Sequence, residues 1–220
     1  MPSNLIVQQS AFTPHGESSV FPGVASRLGP QVVMDFYTWA AMVGAAFQVR
    51  AGTVTTPLIG SVAIAAAAAE YCVDCVAGTT LIPVYSNMSI RLAANVAQEY
   101  AIKSVAAVST VGTAFVLLPL KTNGSAAAST ARVAAAGGVT VTTELATTTR
   151  RHWSWSNPTG NTTAGTNLGI YAMPPLEWTP RTPPILVGPY CVYAQLAAGT
   201  AGPSYYASLD VLEFPTATLL

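Results

Sequence analysis

The feature that most limits what this chain can fold into is its rhythm. Short β-prone runs are closed by turn signals about every dozen residues. Phe47 to Thr56 alternates apolar and polar side chains and stops at Pro57. Thr79 to Leu92 is a long β-branched run with Pro83 inside it, which predicts an edge position or a bulge there. Glu99 to Ser109 and Thr113 to Leu120 follow, and Lys121-Thr122-Asn123-Gly124 is a strong turn. Gly138 to Leu145, Leu168 to Met173, Ile185 to Leu196 and Tyr205 to Phe214 complete about eight to ten predicted strands. Such spacing predicts an all-β chain folded as an antiparallel β-sandwich, with at most one or two short helices. The missing alternation with long helices argues against a parallel α/β sheet.

Three segments read differently. Residues 1–30 are polar and turn-rich, and they read as an N-terminal arm ahead of a domain spanning 31–220. Gln31 to Ala46 has apolar residues at helical spacing but is rich in Val, Phe, Tyr and Trp, so helix and strand compete equally. Ser61 to Val73 is alanine-rich and ambiguous between helix and strand, so at most two short helices are expected, near 31–46 or 61–70. Ser125 to Ala136 is built of small residues and reads as a long loop.

Composition then decides how such a sandwich would live in solution. Lys and Arg number nine, Asp and Glu nine, and together they make 8% of the chain. About a quarter is usual. Yet 51% of residues are hydrophobic, and no stretch reads as a membrane span. With zero net charge, little keeps separate copies apart. Much of the surface is therefore expected to be covered by copies of the same chain. That points to an assembly protein and away from a free enzyme. The N-terminus lacks the basic and apolar regions of a secretory signal, so synthesis in a cytoplasm is expected.

Searching for chemistry yields little. Cys72 and Cys75 form an isolated C-x-x-C; zinc would want a second ligand pair, which Cys191 alone does not supply. The three thiols read as buried and free, and no cofactor or metal is expected. His15 has Glu17 two residues on but no further ligand candidate nearby, and His152 has no acidic residue close in sequence. No nucleophile elbow, phosphate loop or zinc-protease motif occurs. Asp210 and Glu213, three apart in a predicted strand, should face opposite sides. No catalytic residue is assigned. The densest cluster is Arg150, Arg151, His152, Trp153 and Trp155. Arginine and tryptophan anchor protein interfaces, which is the preferred reading. Plain folded structure and phosphate-plus-stacking contact with nucleic acid are the alternatives. The proline-rich run Met173 to Pro184 reads as an ordered loop joining two strands.

The chain as a whole resembles viral coat proteins of the jelly-roll type over roughly residues 45–215. The features are a non-helical arm, about eight strands, long Thr/Gly/Pro loops, and a terminal strand Tyr205 to Phe214 with a short tail, Pro215 to Leu220. The low charge is similar to coats without a basic arm. Examples are the single-jelly-roll major capsid proteins of tailless, membrane-containing DNA phages and archaeal viruses, and the tymovirus-like coats. The resemblance implies a single jelly roll that self-assembles into an icosahedral shell in the virion. Its partners would be itself, other capsid proteins and an internal membrane. Strong direct nucleic-acid binding is not expected, because residues 1–49 hold one basic side chain, Arg27. The alternative is a receptor- or carbohydrate-binding sandwich, such as a phage spike or fibre head, with Trp153, Trp155 and Trp178 stacking on sugars.

Overall fold

A computed structural model describes residues 24–25, 31–32, 35–53, 55–64, 68–92, 97–133, 139–141, 149–156, 176–198 and 204–218. Most of the predicted arm, the strand expected at Leu168 to Met173 and most of Gly138 to Leu145 lie outside the described residues. The early elements are β1 (Val24–Ala25), β2 (Gln31–Val32), α1 (Phe36–Val43), β3 (Ala46–Ala51), β4 (Leu58–Ile59) and β5 (Ala68–Ala69). Then come β6 (Tyr71–Cys75), β7 (Thr79–Leu92), β8 (Ala97–Val105), β9 (Thr113–Phe115), β10 (Leu118–Pro119), β11 (Thr130–Val133) and β12 (Val139–Thr140). The last are β13 (Thr149–Ser156), β14 (Leu176–Trp178), β15 (Leu186–Val187), β16 (Tyr190–Ala198) and β17 (Ser204–Pro215).

The antiparallel β-sandwich expected from the sequence is what forms. One sheet runs β10-β3-β17-β7-β14, with β15 also on β7 and β4 on β17. The other runs β13-β8-β16-β6-β11-β9. The pairing is nested: β3 with β17, β6 with β16, β7 with β14, and β8 with β13. Each later strand thus returns to lie beside its earlier counterpart, like a long hairpin wound over itself.

β17 shows why the layers meet. Tyr205, Ala207, Leu209 and Val211 alternate into the core between the sheets, where they meet Val49, Tyr71, Val73, Ile102, Val192 and Leu196. Burying each large aliphatic side chain there stabilises the fold by about 1.5–3 kcal/mol before entropy is subtracted. The opposite face of β17 carries Leu212 and Phe214, and helix α1 covers them through Ala40 and Trp39. Phe36 and Trp39 stack near Phe214, with ring centroids 6.0 and 6.3 Å away. Of the two readings open for residues 31–46, helix therefore holds from Phe36 to Val43. Asp35 caps it by accepting from the Thr38 N–H at 2.9 Å, and Gly44 ends it at φ 83°, where a side chain would be strained.

Asp210 and Glu213 do face opposite ways. Asp210 accepts from Gln48 Nε2 at 2.8 Å, whereas Glu213 accepts from the Ala128 and Ser129 N–H groups, each at 2.7 Å. Pro83 sits at a bulge and not at an edge. β7 is interior, and the register steps from Asp210 opposite Tyr85 to Val211 opposite Pro83, leaving Val84 unmatched.

For Ser61 to Val73, open between helix and strand, the described residues take the strand reading: Ser61 bridges Ala197, and Ala68–Ala69 is strand β5. Two expectations need correction. Ser125 to Ala136 is not a continuous loop, because Thr130–Val133 is inserted between β6 and β9 and buries Ala131 and Val133. Thr113 to Leu120 is not one strand: β9 joins one sheet and β10 the other, with Leu117 buried between them.

Glu70 gives the fold a pH dependence. It is buried, and its Oε1 accepts from the Ser61 N–H at 2.9 Å and the Ser61 hydroxyl at 2.6 Å. Burial pushes its carboxyl pKa up, against the lowering pull of those two bonds. A raised native pKa favours folding while the group stays protonated. That contribution is complete below the ordinary carboxyl pKa and is lost as pH rises through the raised native value. Glu70→Gln keeps an acceptor for Ser61 and removes the titration. Its stability relative to the parent is expected to improve between about pH 4 and pH 7 in urea unfolding. A pH-independent difference would contradict this.

Candidate functional site: an arginine-lined cavity at the open edge of the sandwich

β13 and β14 are the outer strands of their sheets on one side of the sandwich. Trp153 on β13 points inward and stacks on Tyr100 of β8, with centroids 4.8 Å apart. Strand alternation puts Arg151 on the same face, and its guanidinium lies over the Trp153 ring, 5.2 Å from the centroid. Arg150 would ordinarily point the other way. The ladder shifts at this residue, from Thr149 opposite Lys103 to Arg151 opposite Ile102. A bulge re-aims a side chain in this manner. Arg150 Nε donates to the buried Ser104 Oγ at 2.7 Å.

Both arginines consequently border one cavity of about 620 Å³. Across from them lie Trp178 at the end of β14 and the loop Thr179–Pro184, which brings in Arg181. Trp178 is only 7% exposed, because its side chain belongs to the main core. Glu177 is the single carboxylate in the lining. Its Oε1 accepts from the Tyr85 hydroxyl at 3.3 Å and from Asn87 Nδ2 at 3.4 Å. Three guanidinium groups face one carboxylate in a chain with nine basic residues, so this is a concentrated positive site.

The predicted cluster is thus divided. Arg150 and Arg151 line the cavity, and Trp153 backs Arg151. His152 is exposed and takes no part in the lining. Trp155 continues β13 opposite Gln98, but its side chain lies outside the described set. Sequence reasoning missed Arg181, and the run Met173 to Pro184 is not a loop throughout: Trp178, named there for sugar stacking, lies on strand β14 (Leu176–Trp178) with its side chain in the core. The available signal was one arginine inside a run of prolines, Thr179-Pro180-Arg181-Thr182-Pro183-Pro184.

A second polar cluster lies on the outer face of the other sheet. Cys72 and Cys75 face opposite ways, as residues three apart on a strand must. Cys75 is in the main core, where its thiol lies 3.4 Å from the Leu186 carbonyl. Cys72 packs with Cys191, Val105 and Tyr193. All three cysteines are free and buried, as expected. Ligand-type atoms of Cys72, Asp74 and Cys191 lie within 4.8 Å of one another. The carboxylate is already engaged: Asp74 Oδ1 accepts from the Ser109 N–H at 2.8 Å and Oδ2 from its hydroxyl at 2.6 Å. Arg132 Nε is 3.8 Å from Oδ2, and burial raises the pKa of the Cys191 thiol well above its usual value. The two bonds from Ser109 to the Asp74 carboxylate, with Arg132 beside it, make this cluster an anchor for the chain around Ser109.

No family model, curated protein or solved structure matched the chain.

Proposed function

We propose that this chain is the structural subunit of a self-assembling shell of the viral-coat kind, built as a single jelly roll and carried in a virion. The nested pairing supports the jelly-roll reading. With the eight principal strands β3, β6, β7, β8, β13, β14, β16 and β17 taken in chain order, the first lies beside the last and each successive pair lies inside it. The assembly reading rests on one observation: large apolar side chains stand exposed on a surface with few charges. Val116, Leu118 and Leu120 are 40–68% exposed around edge strand β10, and Met42 and Val43 are 58% and 53% exposed at the end of α1. These two places adjoin, since the Leu120 N–H donates to the Ala46 carbonyl just beyond the helix. Exposed apolar edges of this kind are aggregation sites unless a partner covers them.

The partner is a further copy of the chain, with other coat proteins and an internal membrane as additional neighbours. Among the described residues no helix is long and apolar enough to cross a membrane. Genome contact through the arm is not part of the proposal, because Arg27 is its only basic residue.

Sedimentation of the purified protein is expected to show trimers, pentamers or larger shells. Introducing Leu118→Asp with Leu120→Asp should shift the distribution towards monomer while far-UV circular dichroism stays that of a β-protein. A parent protein that stays a monodisperse monomer at high concentration would overturn the reading. The second reading, a receptor- or carbohydrate-binding head, is favoured by the cavity beside Trp178 and not by the apolar edge.

A further inference from the structure

We propose that the cavity between β13 and β14 is a binding site for a compact ligand bearing an oxyanion: a phosphate, a sulfate or a carboxylate. The inference does not depend on the shell reading. Its first support is charge. Arg150, Arg151 and Arg181 are a third of the nine basic residues in the sequence, and all three border this one space. Self-repulsion opposes gathering three guanidinium groups around a single carboxylate, and an anion between them relieves it. Among the described residues none of the three forms an ion pair with a carboxylate.

The second support is preorganisation. The Ser104 bond uses only Nε of Arg150, which leaves its two terminal nitrogens as donors. The Trp153 ring engages the face of the Arg151 guanidinium and leaves its edge for hydrogen bonds. Both side chains are therefore held before a ligand arrives, which reduces the ordering cost of binding. The bulge at Arg150 is what brings consecutive arginines to one space, at the expense of regular pairing in the ladder.

The third support is size and lining. A volume of about 620 Å³ falls within the range of small-ligand sites. Trp178 and Pro180, Pro183 and Pro184 give an apolar wall, and Thr179 and Thr182 add hydroxyl groups. Apolar walls strengthen a charge-assisted hydrogen bond, and the guanidinium fork matches an oxyanion in two-point geometry. A single half-open cavity bounded by a loop suits a compact ligand better than a polymer strand, which needs an extended basic track.

The test is calorimetric titration of the full-length protein, in whatever assembly it forms. The probes are inorganic phosphate, a sulfated disaccharide, a sialylated trisaccharide and a short oligo-dT. At least one of the three compact probes is expected to bind with Kd of about 1 mM or tighter at low salt and to weaken as salt rises. Which one binds identifies the oxyanion. Arg181→Ala, in the exposed loop, should weaken that probe about tenfold, and Arg150→Ala by at least as much. Arg50→Ala, on β3, should leave it unchanged. Failure of all three compact probes, binding of oligo-dT alone, or equal loss in Arg50→Ala would each overturn the proposal. Loss of self-assembly in the edge variants would not affect this outcome, so the two proposals fail separately.

Discussion

Replacing Asp74 by alanine is expected to lower the unfolding free energy by about 3 kcal/mol, the lower end of the range for breaking a buried charged contact. The residue is 2% exposed, and its carboxylate holds both the N–H and the hydroxyl of Ser109. Alanine leaves those two donors without their acceptor in a buried place, at about 1–3 kcal/mol for each orphaned group. The Arg132 partner contributes less, because Nε is 3.8 Å away and the side chain is 33% exposed. Water can take over part of what that guanidinium loses. Ser109 Oγ also keeps the Cys72 thiol as a neighbour at 3.1 Å. Asp74→Asn retains an acceptor and should cost about half as much. Urea unfolding with unchanged m-values measures both variants. A loss below about 1 kcal/mol for alanine would show that the Ser109 anchor carries little of the stability.

Gly188→Ala is expected to cost about 3 kcal/mol or more, through overpacking. A β-carbon at this position would lie 1.9 Å from the Val76 carbonyl oxygen, 2.6 Å from its carbon and 2.9 Å from the Cys75 oxygen. All three atoms are backbone, so no side-chain rotation relieves the clash. The chain following β6 and the corner between β15 and β16 would have to part, along with the bond from the Gly188 N–H to the Thr79 carbonyl at 3.0 Å. Gly78 provides the contrast. Its φ is 84°, but nothing lies within 4 Å of an added β-carbon. Gly78→Ala should therefore cost only the left-handed strain, about 1 kcal/mol. Thermal unfolding of the two variants reads the difference. The opposite ranking would mean that this corner is looser than its geometry implies.

These two sites also mark where sequence reasoning stops. Asp74 sits between two cysteines in Cys-Val-Asp-Cys, and nothing local connects it to Ser109, thirty-five positions further on. Gly188 stands before Pro189 and looks like any turn glycine. Its need for a bare α-carbon comes from the backbone of Cys75 and Val76, at and just beyond the end of β6, more than a hundred residues earlier in the chain.

What the sequence determined by itself was local. Alternation over Tyr205–Val211 made a strand with one apolar face, and Pro83 required a ladder irregularity because it has no N–H to donate. Enough such runs, separated by turn signals, made the sandwich the economical way to bury those faces. Tertiary structure decided the remainder. Thr130–Val133 became a strand because two neighbours offered it hydrogen bonds and a place for Ala131 and Val133, although the alanine-rich run around it carries no strong preference. Phe36–Val43 became a helix because Leu212 and Phe214 gave its apolar face something to cover. The cavity followed the same rule. Arg150 and Arg151 were visible as neighbours in sequence. Their meeting with Arg181 and Trp178 needed a bulge on one sheet to face a loop from the other, and local spacing does not encode that meeting.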